Sequence, residues 1–193
     1  SFPYSNMIDK LIKERHSVTR FSTKKADWRD IIKALDSARL TPLAGNIQVL
    51  KFLVVTEEEK IKKIAEACQQ DFIKNVSYVV VFCSDHSQLE RNFKEKAKVY
   101  VRQQTGAAIQ NFLLKITELG LATCWIGSFV EDDIRSLLHI PTEVEIEALF
   151  PVGYEMPPKG KQKFKKELRD LIRWEKNQQK SAGANRRHQK GGF

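Results

Sequence analysis

Long apolar runs are missing from these 193 residues, and none approaches the roughly 20 needed to cross a bilayer, so they are expected to form one soluble domain with no membrane-spanning helix. Cysteine is scarce. Cys68, Cys83 and Cys124 are odd in number, show no C-x-x-C spacing and sit in or beside apolar runs, which argues against a disulfide framework and for three buried free thiols. The histidines, His16, His86, His139 and His188, lack the spacing of metal ligands, and no structural zinc or other metal is expected. The opening "SFPYSNMIDK" lacks the basic-then-apolar order of a secretory signal, so a cytoplasmic protein is expected, with Met7 as the natural start and the residues before it an addition.

A surplus of acidic or basic charge is also absent from most of the chain. Residues 1–158 carry 21 basic and 21 acidic residues, whereas residues 159–193 carry 12 basic and 3 acidic ones, so the whole formal charge of +9 belongs to the last segment. A neutral body offers no basic face to nucleic acid. At 41% hydrophobic content the chain is long enough for one domain with a sizeable core.

What is present is an interleaving of helical and strand patterns. "NMIDKLIKER" places Ile8, Leu11 and Ile12 at helical spacing behind a possible N-cap at Asn6, and Asp27 or Thr23 can open a helix through "WRDIIKALDSARL". "KFLVVT" (51–56) and "SYVVVFC" (77–83) read as buried strands, separated by the charged helix "EEEKIKKIAEAC", whose acids sit at its favourable end. Residues 84–98 are polar and read as a loop with a mobile helical turn, long enough to serve as a lid. From Tyr100 a long helix repeats Ala108, Ile109, Phe112, Leu113 and Ile116, and stops at Gly120. "ATCWIGSF" then reads as a strand entering a turn, "EDDIRSLL" as a helix and "VEIEALFPVGY" as a strand, which together imply an α/β or α+β layered domain. Beyond Tyr154 an extended Pro/Lys stretch leads to a short amphipathic helix with Leu168, Leu171, Ile172 and Trp174. Residues 181–193 have the composition of disorder or of an added sequence.

Three segments carry chemistry together: "RHSVTRF" (15–21), "TPLAGNIQVLKF" (41–52) and "AAIQNFLLKITELGLATCWIG" (107–127). In order and spacing, from about residue 8 to about 154, they resemble the FMN-dependent nitroreductase family, whose patterns are Arg-x-Ser-x-Arg/Lys-x-Phe, Pro-Ser-x-x-Asn-x-Gln-Pro-Trp and Gly-Leu-Gly-Thr-Cys-Trp-Ile-Gly. The resemblance implies an α+β, three-layer α/β/α sandwich with a mostly antiparallel sheet. It further implies a homodimer with FMN at the interface, residues 1–158 as the FMN-binding domain and residues 159–180 as a basic extension packed on the partner.

By the same resemblance Arg15, His16, Ser17 and Thr19 fall at the phosphate segment, where guanidinium and hydroxyl groups suit a dianion. Thr19 stands where the family has a second basic residue. Asn46 and Gln48 fall at the segment that meets the ring system, with Leu43 in place of Ser and Val49-Leu50 in place of Pro-Trp. Ile126, Gly127 and Ser128 match the turn along the ring edge, where glycine lets backbone approach a flat cofactor. Lys163 and Lys165 are the tail candidates for completing the phosphate site. The implied activity is electron transfer from NADH or NADPH, by a ping-pong mechanism, to a nitroaromatic, quinone or similar small-molecule acceptor, with no side-chain acid or base. Two alternatives stand beside it: a flavin-fragmenting enzyme resembling dimethylbenzimidazole synthase, and a redox-inactive binding protein that uses its basic tail.

Overall fold

The structure, a computed structural model, describes residues 5–161 and 164–174. Two compact units divide the chain, residues 1–162 and 163–193. Among the described residues of the first lie six α-helices: α1 (Ser5–Glu14), α2 (Trp28–Arg39), α3 (Glu58–Cys68), α4 (Ser87–Phe93), α5 (Ala97–Glu118) and α6 (Glu131–Leu138). The strands β1 (Leu50–Val55), β2 (Tyr78–Asp85), β3 (Ala122–Thr123) and β4 (Val144–Gly153) form an antiparallel sheet of order β1-β2-β4-β3.

Alternation along β2 builds two cores from one strand. Val80 and Phe82 face Ile31 and Leu35 of α2 and Ile109 and Phe112 of α5; Val79, Val81 and Cys83 face Ile61 and Ile64 of α3 and Ile134 of α6. Helices on both faces of an antiparallel sheet make the three-layer α/β/α sandwich that the resemblance implied. Phe82, at 0% exposure, meets Phe52, Phe112 and Phe150 edge-on at centroid distances of 4.8–5.2 Å. Register slips once: Phe82 pairs with Ala148 but Cys83 with Ile146, so Glu147 is an extra residue on β4. Such a bulge re-aims side chains. It turns Ala148 to the α5 side and Ile146 to the α3 side although the two are an even number apart.

Several boundaries follow from local chemistry. Asp27 caps α2, its side chain accepting the Arg29 N–H at 2.9 Å. Gly120 (φ +70°) ends α5, with the Gly120 N–H donating to Thr117 and the Leu121 N–H to Ile116, both at 3.0 Å.

Residues 84–98 are not a loop. β2 runs on to Asp85, α4 and a 3-10 turn at Lys94–Lys96 follow, and α5 begins at Ala97. Leu89, fully buried, anchors α4, with Phe93 partly buried one turn on; two large apolar residues in a polar run are too few to read as a period. β3 is shorter than "ATCWIGSF" implies, and its continuation is the isolated pairing of Ile126 with Leu149. Cys68 and Cys83 are buried, their thiols pushed up to about 11 by desolvation, while Cys124 is half-buried; none of the three forms a disulfide. Among the described residues no helix is long and apolar enough to cross a membrane.

In the second unit, the described residues 164–174 contain a 3-10 turn at Leu168–Asp170 rather than the amphipathic helix that Leu168, Leu171, Ile172 and Trp174 suggest, and these four side chains are exposed. Residues 181–193 and Lys163 lie outside the described residues.

Candidate functional site

α1 closes with the Arg15 N–H donating to Leu11 at 2.9 Å, and the chain then runs extended across the sheet edge. The Val18 N–H donates to the Thr123 carbonyl at 3.0 Å, Ser22 to Tyr154 and Met156 to Arg20, each at 2.9 Å. The first and third sequence segments are therefore direct backbone neighbours, although more than a hundred residues separate them. Alternation along this stretch buries Val18 and leaves Ser17 and Thr19 exposed. Arg20, one place after the position where a basic residue was expected, donates to the Pro157 carbonyl at 3.2 Å.

Beside this stretch opens a groove of about 640 Å³, floored by Leu113, Ile116 and Leu121 and edged by Lys13, Arg15, Lys159 and Lys161. Its wall is clasped by His16, which pairs with Glu155 at 3.0 Å through Nε2 and contacts the Glu14 carbonyl at 2.8 Å through Nδ1. Glu155 also accepts the Gly160 N–H at 2.7 Å, so the clasp fixes the 155–161 strap that carries two of the lysines. Burial opposes charge on His16, but the Glu14 carbonyl and the Glu155 carboxylate outweigh it, and the imidazole titrates above its ordinary value. Burial likewise opposes charge on Glu155, and the Gly160 N–H and His16 outweigh it, holding the carboxyl below its ordinary range.

Ile126, buried, exchanges two backbone hydrogen bonds of 3.0 Å with Leu149, which pins the turn that follows. Gly127 and Ser128 are exposed. A Cβ built on Gly127 would meet only Trp125 Nε1, at 4.0 Å, so the backbone there is open to a flat ligand. Trp125 is itself 46% exposed beside it.

Asn46 lies elsewhere. Residues Ala44–Asn46 form a 3-10 turn in which Gly45 (φ +59°) and Asn46 (φ +58°) are both left-handed, and a Cβ on Gly45 would stand 3.0 Å from Phe93. Gln104 of α5, almost fully buried, holds this turn: its Oε1 accepts the Ala44 N–H at 3.2 Å and its Nε2 donates to the Ile47 carbonyl at 3.4 Å. Sequence reading missed Gln104, because a polar residue in a helix that is buried along most of its length has no period of its own. Gln48 spends its carboxamide oxygen on the Leu50 N–H at 3.2 Å. Between Gln104 and the groove residues Leu113–Thr117, α5 rises about 14–20 Å, so one chain does not bring Asn46 to the groove.

Of the tail candidates, Lys165 is exposed in the second unit. A few positions earlier in the same Pro/Lys stretch, Lys159 and Lys161 line the groove beside Lys13 and Arg15.

The nitroreductase family model matches residues 12–77 and 68–154. A protein of Archaeoglobus fulgidus named for NADH dehydrogenase and NAD(P)H nitroreductase activity is 32% identical over 160 residues, covering 80% of this chain and 87% of its own. An iodotyrosine deiodinase of Thermotoga neapolitana is 28% identical over 171 residues, covering 80% and 92%. Among solved structures, an FMN-dependent nitroreductase of Clostridium difficile superposes with a TM-score of 0.71 at 22% identity, covering 86% of this chain and 97% of that one. The chain belongs to the nitroreductase family.

Proposed function

We propose that the chain is an FMN-dependent oxidoreductase that works as a homodimer, taking electrons from NADH or NADPH and delivering them to a small aromatic acceptor. The observation that carries this reading is the Val18–Thr123 hydrogen bond, which joins the cation-edged groove at Arg15 to the segment ending in the open backbone of Gly127. A phosphate and a flat ring fit those two places. The family and the names of the relatives support the same class of chemistry.

Bound FMN would supply the redox chemistry, accepting hydride from the nicotinamide and passing electrons to the acceptor in a ping-pong cycle. The chain's residues hold and orient. Arg15 gives a charge-assisted bond to phosphate, Ser17 and Thr19 offer hydroxyls on the exposed side of the same stretch, and Lys159, Lys161 and the tail lysines Lys163 and Lys165 supply further positive charge. Backbone N–H groups at Gly127 and Ser128 face the ring edge without a side chain in the way, and Ile126 fixes the turn that carries them. Asn46 meets the ring from a second copy of the chain, because its own chain keeps it far from the groove. Of the 159–180 extension, Lys159 and Lys161 stay on their own chain's groove and the remainder packs on that second copy. Nitroaromatics and quinones are the expected acceptors, and the likeness to a protein named iodotyrosine deiodinase adds halogenated phenols to the class.

The testing measurement is the visible absorbance of the purified protein, alone, with FMN, and then with NADH or NADPH under nitrogen. A flavin spectrum that bleaches with the donor and returns on aeration supports the proposal. Irreversible loss of the flavin on aeration would favour the flavin-fragmenting alternative, and a protein that takes up no FMN would overturn both.

A further inference from the structure

On the α5 face of the sheet, remote in sequence from every residue placed in the flavin site, His86, Glu145 and Glu147 each offer a donor atom within 4.8 Å of the other two. Glu145 and Glu147 stand two apart on β4, on either side of the inward-facing Ile146, and so face the same side of the sheet, with the bulge lying directly after them. The Glu147 side chain is 4% exposed and accepts the Ser84 hydroxyl at 2.5 Å. Arg102, on α5, spans the pair, one guanidinium nitrogen on each carboxylate.

His86 does not fit a closed ion-pair network. Its side chain is 9% exposed, and its Nε2 is buried with no hydrogen-bond partner although Glu145 Oε1 lies 3.4 Å away. Nδ1 stands 3.7 Å from Glu90. Glu145 and Glu147 share the one guanidinium of Arg102 and Glu90 stands beside His86 Nδ1, so three carboxylates surround the imidazole with one guanidinium among them. A buried ring nitrogen without a partner is destabilising, and a cation placed between it and the carboxylates satisfies it.

We infer that His86, Glu145 and Glu147 form a binding site for one divalent transition-metal ion of the zinc type, tying the start of α4 to the bulge of β4. One imidazole nitrogen and two carboxylate oxygens are a donor set suited to zinc. Ligands on a tetrahedral zinc ion stand about 3.3 Å apart, and the His86–Glu145 separation of 3.4 Å already has that value. Glu147 must swing in, and Arg102, whose side chain is 58% exposed, gives way to solvent as the metal takes over its charge. The spacing 86, 145 and 147 carries no motif, which is why the histidine pattern of the sequence shows no metal site.

Equilibrium dialysis of the chelator-treated full chain, flavin included, against zinc ions, with bound metal counted by mass spectrometry, tests the site. The wild type is expected to take up one equivalent more than either His86→Gln or Glu145→Gln, and Arg102→Ala is expected to bind that equivalent several-fold more tightly. Chelator should lower the Tm of the wild type and leave that of the two ligand variants unmoved. Equal uptake by wild type and both variants would overturn the inference, since the zinc would then sit on other residues. No uptake at all would overturn it too. Should His86→Gln fail to fold, Glu145→Gln, at a half-exposed and nearly isosteric position, carries the same comparison.

Discussion

His16 Nε2 lies 3.0 and 3.1 Å from the two carboxylate oxygens of Glu155, joining residues 139 positions apart with side chains only 16% and 12% exposed. The pair makes stability depend on pH in a bounded window. Folding raises the His16 pKa, so its contribution is complete below the ordinary value of 6.5 and is lost as pH rises through the raised one. Folding lowers the Glu155 pKa, so its contribution is complete above 4.5 and is lost as pH falls through the lowered one. Glu155→Gln, which keeps an acceptor for Gly160, should cost about 1–3 kcal/mol at pH 5–6. Urea unfolding across pH should show the difference between wild type and variant shrinking on both sides of that window; a constant difference would mean that the charges contribute nothing.

Arg15→Ala should weaken FMN binding by about 1.5–3 kcal/mol, or roughly 10- to 150-fold in Kd, if its guanidinium holds the phosphate. Quenching of flavin fluorescence during titration measures this directly. Riboflavin, which lacks the phosphate, should lose far less affinity, and an equal loss for the two ligands would place Arg15 away from the phosphate.

Gly127→Val separates fold from site. The nearest atom to a new Cβ is Trp125 Nε1 at 4.0 Å, so the folded chain has room for the side chain and Tm without added flavin should move little. The branched side chain would stand over the backbone that the ring must approach, and flavin content should fall. A variant with full flavin content and turnover would show that the turn is not against the ring.

Much of this was legible in the sequence because the signals are local. The i, i+3, i+4 repeat through Ala108, Ile109, Phe112 and Ile116 is one face of α5, Asp27 caps α2 as its residue type predicts, and Gly120 takes the left-handed φ that ends a helix. The unread features depend on partners far away in the chain. Leu89 anchors α4 from within a polar run, Gln104 reads as an ordinary helix residue until the turn at Ala44 docks on it, and Glu147 becomes a bulge only through the register of β2. The His16–Glu155 clasp is of the same kind: each residue alone is an ordinary surface type.

The separation of Asn46 from Arg15 along α5 yields the most discriminating prediction. If each flavin site takes Arg15 from one copy and Asn46 from the other, Arg15→Ala and Asn46→Ala chains should each bind FMN poorly as homodimers. Co-expressed, they form mixed dimers in which one site carries both substitutions and the other neither. With random assembly about half of the dimers are mixed, so roughly a quarter of all sites should be intact, and flavin content and NAD(P)H-dependent turnover should recover to about that level. A site built within one chain predicts no recovery, because each chain then keeps its own defect whichever partner it meets. Isolating the mixed dimer with two different affinity tags raises the expected value to one intact site in two, and flavin counted per dimer gives the result without reference to any particular electron acceptor.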